Sequence, residues 1–206
     1  IKANNQNYTF DAVLYATGRK ANTANIGLEH TDIVTNERGA IVVNDTCESS
    51  APGVYAVGDV NGGPQFTYVS LDDFRIVFGA LTGNSQYTLK DRKNIPYTTF
   101  LTPPLSRVGL TEEDAINQGY TIKTKEMLVA TMPRAHVNDY LKGAFKIVVD
   151  AENDLILGAT LYSQGAEELI NLIKMAMDNN IPYTYFKNQI FTHPTMAENL
   201  NDLCNF

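Results

Sequence analysis

Residues 143–162 read GAFKIVVDAENDLILGATLY: two apolar runs rich in β-branched residues, Gly143 to Val149 and Leu155 to Tyr162, on either side of Glu152-Asn153-Asp154. Runs of that composition joined by a short polar turn predict an antiparallel hairpin. Directly after it, Ala166, Leu169, Ile170, Ile173, Ala176 and Met177 recur at intervals of three and four, one face of an amphipathic helix. The plainest use of that face is core packing against the adjacent sheet. Upstream, Thr111-Glu112-Glu113-Asp114 opens a short helix in the manner of a capping box. From residue 95 the order reads strand, helix, three strands, helix, helix. That order predicts an α+β domain over 95–206, an antiparallel sheet with helices.

The charged, polar joint Asp91-Arg92-Lys93-Asn94 separates this domain from residues 1–90, whose grammar differs. Tyr8 to Ala16 (YTFDAVLYA) is a mostly apolar run stopped by Thr17-Gly18, which predicts a buried strand. Asn36-Glu37-Arg38-Gly39 is a turn between Asp32–Thr35 and the β-branched Ala40–Val43, a second hairpin. Gly53 to Val57 predicts another short strand, ended by Gly58-Asp59. After the breaker Asn61-Gly62-Gly63-Pro64, a helix is expected over Thr67 to Leu81, with Val69, Phe74, Val77 and Leu81 on its buried face. Asp72 and Asp73 suit the positive end of its dipole.

Composition narrows the function. Among 206 residues, 44% are hydrophobic and 19% charged, an ordinary globular balance. No apolar run approaches the roughly 20 residues that span a bilayer. With a net charge of −7 and no Lys/Arg cluster, the electrostatic footprint of a nucleic-acid binder is missing. Two cysteines, Cys47 and Cys204, and three histidines, His30, His136 and His193, are too few and too scattered for a disulfide scaffold or a metal cluster. The low cysteine count favours the cytoplasm. Because the chain starts at Ile1 rather than at methionine, its lack of a signal peptide decides nothing about secretion.

Few positions invite chemistry. Asp59 ends a strand ahead of a Gly-rich turn and a helix, where open α/β sheets bind ligands. As an acceptor it suits a polyol, although from this stretch alone it reads first as the cap of the turn. Thr67 heads the next helix and can offer a backbone N–H. Gly18, in Thr17-Gly18-Arg19, either lets a ligand approach the backbone or is a turn glycine. There is no Gly-x-Gly-x-x-Gly, the loop that cradles a dinucleotide pyrophosphate. Near the end, FTHPTMAE (191–198) sets His193 before a proline with Glu198 five positions on. Thr195-x-x-Glu198 is itself a capping box, and on spacing alone that reading of Glu198 stands first. The other reading is that Glu198 accepts one imidazole N–H and leaves the second nitrogen to exchange a proton. Neither cysteine lies among neighbours in sequence that would lower its pKa, so both read as bystanders.

The ordered set ATGR (16–19), VYAVGDV (54–60), FTYVSLDDFR (66–75), TPPLSRVGLTEEDA (102–115) and FTHPTMAE (191–198) resembles the C-terminal half of the FAD-dependent pyridine nucleotide–disulfide oxidoreductases. That family includes glutathione reductase, dihydrolipoamide dehydrogenase and mercuric reductase. QFTYVSLDDFRIV, TTFLTPPLSRVGLTEEDA and QIFTHPTMAENLNDL look most like its reactive-chlorine-resistance subgroup, which reduces hypothiocyanous acid. The sequence departs from the wider family at Ala21, in place of a proline, and at Asp72-Asp73, in place of small residues; those acids fit that subgroup.

The resemblance implies a partial α/β FAD/NAD(P)-binding segment over 1–90, followed by a dimerisation domain over 95–206. It implies that Asp59, after Gly58, holds the FAD ribityl chain, with the Thr67 N–H toward the flavin ring. Gly18 and Gln65 lie near NAD(P)H. His193 is the acid–base group for the thiols of a partner subunit in a homodimer, oriented by Glu198, and the His193-Pro194 peptide is cis. The substrate is a small-molecule oxidant or a disulfide. The redox-active cysteine pair belongs to an N-terminal half that this sequence does not contain. The chain by itself is then an inactive dimerisation module, or its parent is closer to mercuric reductase or dihydrolipoamide dehydrogenase.

Overall fold

A computed structural model describes residues 1–206, which form two compact units, Ile1–Asp91 and Arg92–Phe206. In the second unit the hairpin forms: β6 (Ala144–Asp150) pairs antiparallel with β7 (Ile156–Tyr162), setting Phe145 opposite Leu161 and Ile147 opposite Ala159. Three more strands join them. These are β3 (Tyr97–Thr99), β4 (Leu105–Gly109) and β5 (Ile122–Leu128), in the all-antiparallel order β3-β4-β7-β6-β5. The expected order lacked one strand ahead of the first helix, α3 (Pro133–Val137) between β5 and β6, and one of the three helices that follow β7. Three residues of Tyr-Thr-Thr and five of Pro-Arg-Ala-His-Val are too short to show a period of their own.

The helix α4 (Ala166–Asp178) lies against β4 and β7 and buries Ala166, Leu169, Ile170, Ile173 and Ala176, with Met177 packed at the margin. These side chains share one core with Val108, Phe145, Ile147, Val149, Leu161, Leu200 and Leu203. Each fully buried Leu, Ile or Phe contributes about 1.5–3 kcal/mol. A bulge between Val148 and Val149 twists β6 near its end. The helix α2 (Glu112–Asn117) carries a complete capping box: the Thr111 side chain accepts from the Asp114 N–H, and the Asp114 carboxylate accepts from the Thr111 N–H at 3.1 Å. The helices α5 (Tyr183–Asn188) and α6 (Leu200–Leu203) complete the unit. Cys204 is fully buried, and loss of hydration pushes its thiol up to about 12, against the pull of Lys125. Lys125 is far off in sequence but caps the Asp202 and Asn205 carbonyls at the end of α6.

The first unit departs further from expectation. Tyr8 to Ala16 is not a buried strand; the local strands are β1 (Lys2–Ala3) and β2 (Gln6–Asn7), and Leu14 and Tyr15 are 90% and 85% exposed. A strand needs neighbours to satisfy its backbone, and beyond the Tyr8–Ile1 pair no segment of this unit pairs with this run. The hairpin about Asn36–Gly39 keeps its turn, with Asn36 Oδ1 accepting the Arg38 and Ala40 N–H groups, but its strands shrink to a Thr35–Ile41 bridge. The Gly53–Val57 strand likewise reduces to a bridge between Glu48 and Tyr55.

The helix α1 spans Thr67–Leu81 as expected, yet its buried face is Val69, Asp73 and Ile76, while Phe74 and Leu81 are exposed. Asp72 and Asp73 lie beyond the first turn. Asp73 was misread because a carboxylate is rarely placed inside unless it is paired, and here it is paired by the turn before the helix.

Two features of the second unit yield measurable outcomes. Gly109 and Gly158 face each other where β4 meets β7, and a Cβ on Gly158 would stand 2.1 Å from the Leu110 carbonyl oxygen. Backbone cannot yield cheaply, so Gly158→Ala is expected to destabilise the unit by about 1–3 kcal/mol in urea unfolding. Unchanged stability would refute the close approach. The carboxyls of Asp114, held by the Thr111 hydroxyl and N–H, and Asp150, held by the Asn153 amide and the Glu152 N–H, sit below the usual carboxylate range. A depressed folded-state pKa stabilises above the unfolded value of about 3.9 and is lost as pH falls through the folded value. Unfolding measured from about pH 5 to pH 2 is therefore expected to show a shallower acid loss in Asp114→Asn than in the unaltered chain.

Candidate functional site

In the first unit, chemistry gathers around the turn Gly58–Asn61. Gly58 has φ +70°, and a Cβ there would stand 2.8 Å from Ser70 Oγ on α1, so the turn lies tight against the helix. Asp73, fully buried, holds it there: its Oδ2 accepts the Gly58 N–H at 2.7 Å and the Asn61 amide at 2.9 Å. That buried carboxylate is a site residue the sequence reading missed. Its only signal was the acidic pair standing where small residues are usual.

The turn presents Asp59 outward, about half exposed. Arg19 Nη1 lies 3.2 Å from Asp59 Oδ2, and Arg19 Nη2 donates to the Gln65 carbonyl at 3.2 Å. Arg19 thus joins two of the expected positions, although the sequence reading gave it no role. Arg19, Asp59 and Gln65 line a cavity of about 1060 Å³ together with Lys20, Arg38 and Gly63. Thr67 begins α1, and Phe66 before it supplies no side-chain cap. The first intrahelical bonds come from Val69 and Ser70, which leaves the Thr67 and Tyr68 N–H groups for another acceptor. Gly18 has φ +109° and nothing within 4 Å of where a Cβ would stand, so no close approach is made there within the unit.

These residues fit a polyhydroxylated, electron-rich group. The second Asp59 oxygen can accept a hydroxyl, and the glycine turn admits close approach of the backbone. The helix end offers N–H groups to an electron-rich edge.

The second cluster belongs to the other unit. Between α5 and the 3₁₀ turn Ala197–Asn199 the chain runs without regular structure, and the His193-Pro194 peptide is cis, as the resemblance implied. His193 Nδ1 lies 2.8 Å from Glu198 Oε2. The imidazole is 70% exposed and the carboxylate side chain 16%. A carboxylate only accepts, so Nδ1 carries the hydrogen of this bond and Nε2 presents its lone pair. The capping box read from Thr195 and Glu198 is half made. Thr195 Oγ1 accepts the Glu198 N–H at 3.2 Å, but the Glu198 carboxylate turns to the histidine instead of back to the Thr195 N–H. Spacing could not decide between those uses, because both need Glu198 at the same position. Glu198 Oε1 is buried without a hydrogen-bond partner.

The chain resembles known proteins over both units. The family described as "Pyridine nucleotide-disulphide oxidoreductase, dimerisation domain" matches residues 95–204, and "Pyridine nucleotide-disulphide oxidoreductase" matches residues 1–73. The chain is 49% identical over 193 residues to the probable pyridine nucleotide-disulfide oxidoreductase RclA of Escherichia coli K12, covering 94% of this chain and 44% of that protein. It is 34% identical over 202 residues to the mercuric reductase of Staphylococcus aureus, covering 97% of this chain and 37% of the relative. A solved structure, the HOCl-induced flavoprotein disulfide reductase RclA from Escherichia coli, superimposes with a TM-score of 0.88 at 48% identity, over 92% of this chain and 43% of that one. The chain thus spans less than half the length of these relatives. It belongs to the pyridine nucleotide-disulphide oxidoreductase family, with that family's dimerisation domain over residues 95–204.

Proposed function

We propose that this chain is the C-terminal part of an FAD-dependent NAD(P)H oxidoreductase that reduces a small oxidant such as hypothiocyanous acid through an active-site disulfide. We further propose that it pairs with a second copy through residues 95–206 and works in the cytoplasm. The observation that carries this is the His193–Glu198 pair: an exposed imidazole whose Nδ1 is committed to a carboxylate, in a chain without a thiol poised to react. The oxidant is inferred from the resemblance to the reactive-chlorine-resistance subgroup, in keeping with the similarity to an Escherichia coli reductase described as HOCl-induced.

FAD, when bound, supplies the hydride acceptor and the electron pair for the disulfide. The residues of this chain hold and move protons around that chemistry. Asp59 would accept from the ribityl hydroxyls, with Arg19 balancing its charge, and the Thr67 N–H would serve the flavin ring. Gly18 and Gln65 would serve the nicotinamide nucleotide. His193 Nε2 takes the proton released as a thiol becomes a thiolate, the nucleophilic form. It returns that proton to the leaving group, while Glu198 holds the ring and favours the imidazolium formed between the two steps.

A second reading is favoured by residues 8–16, which find no sheet partner within the first unit. By itself the chain then serves as a dimerisation module that retains no flavin, since no Gly-x-Gly-x-x-Gly loop is present for the pyrophosphate. Mixing the purified chain with FAD, desalting it and recording the visible spectrum is expected to leave the protein colourless. A retained flavin band would show that residues 1–91 form a usable half-site unaided.

In the full-length flavoprotein, His193→Gln is expected to slow the disulfide half-reaction by about 10²–10⁴-fold while flavin content stays unchanged. Stopped-flow absorbance reads the half-reaction directly. Turnover equal to the unaltered enzyme would rule out the role of His193.

A further inference from the structure

The loop that carries His193 has no regular structure, yet it is pinned on both sides of the histidine by two asparagines that the mechanism above does not use. Asn201 Nδ2 faces three carbonyls where α5 ends and the loop begins: Phe186, Lys187 at 3.3 Å and Gln189 at 3.0 Å. The C-terminal carbonyls of a helix lack intrahelical partners, so a side-chain amide there fixes the exit of the chain. Asn199 Nδ2 faces the Thr195 carbonyl at 3.2 Å and the Met196 carbonyl at 3.1 Å, on the far side of His193. Asn199 is almost fully buried, and Leu200 and Leu203, which bracket Asn201, are fully buried in the core. Both amides are therefore held by the rigid part of the unit and pass that rigidity to the loop.

Glu198 depends on these pins more than a catalytic carboxylate usually does. Its Oε2 meets His193, while its Oε1 is buried without a partner, so no second hydrogen bond orients the group. The carboxylate stands where its backbone puts it. That backbone lies between Met196, held by Asn199, and Asn199 itself. A shift of about 1 Å is enough to take a hydrogen bond out of productive geometry.

We propose that Asn199 and Asn201 are positioning residues, which set the loop so that Glu198 meets His193 Nδ1. The inference rests on the acid–base reading of His193 given above. It says that the tautomer of this histidine is decided by amides that do not touch the ring.

The test is imidazole-nitrogen NMR of the nitrogen-labelled chain in alkaline buffer, where an ordinary imidazole is neutral, with His193 assigned by its loss in His193→Gln. His136 is the internal reference, because its Nε2 faces the Ala130 carbonyl at 2.8 Å and so bears the hydrogen. In the unaltered chain His193 is expected in the Nδ1–H form, and Glu198→Ala is expected to abolish that signal. Asn201→Asp, nearly isosteric but without donors, and Asn201→Ala are both expected to lose the His193 Nδ1–H signal while the His136 signal and the circular dichroism of the sheet persist.

If both variants keep the signal, the positioning role is overturned and the acid–base reading stands. Absence of the Nδ1–H form in the unaltered chain would overturn the pair itself, and the positioning role with it. If both variants lose the His136 signal and the sheet, Asn201 supports the unit rather than the site, and the proposal fails.

Discussion

The pairing of β6 with β7 is the constraint on which the second unit rests. It places Phe145, Ile147, Ala159 and Leu161 on a surface that must be covered. The helix α4 brings a face of matching width from directly after β7, and α6 adds Leu200 and Leu203 to the same core. Since α6 lies only a few residues beyond His193, burying its leucines also fixes where the histidine loop ends. The hydrophobic core and the His193–Glu198 pair are therefore parts of one arrangement. Tight glycines at Gly109 and Gly158 let the sheet close without spreading its strands.

The first unit is built on a different economy. It has few buried apolar side chains, and its backbone is stitched by asparagine and aspartate side chains where strands would otherwise pair. Asn36 and Asn44 each gather neighbouring N–H groups, and Asp73 ties the Gly58 turn to α1. A buried carboxylate is costly unless it is hydrogen-bonded, and Asp73 accepts from Gly58 and Asn61. Here its use is to hold Asp59 outward on a rigid turn beside Arg19. Family membership, resting on matches over residues 1–73 and 95–204, accounts for both units at once.

Polar side chains that look unremarkable in the sequence carry much of the local order around the candidate sites. Asp73, Arg19 and Asn201 act at separations where no periodicity announces them, while Asn199 reaches back three and four residues. Residues with recognisable motifs, such as Asp59, His193 and Glu198, are the visible ends of those supports. That division explains why motif reading locates a site more readily than it explains how the site is held.

Much was legible in the residues alone. The hairpin over 143–162, the face of α4, the capping box at Thr111 and the extent of α1 follow from local period and capping chemistry, which act over a few residues and here agree with the tertiary fold. The tertiary structure decided the rest. It left residues 8–16 without a sheet, because a strand exists only where another backbone meets its hydrogen-bonding groups. It turned α1 so that Asp73 rather than Phe74 faces inward, because the Gly58 and Asn61 donors were there to be satisfied. It sent the Glu198 carboxylate to His193 instead of to the cap, since both uses share one spacing and only the path of the loop separates them.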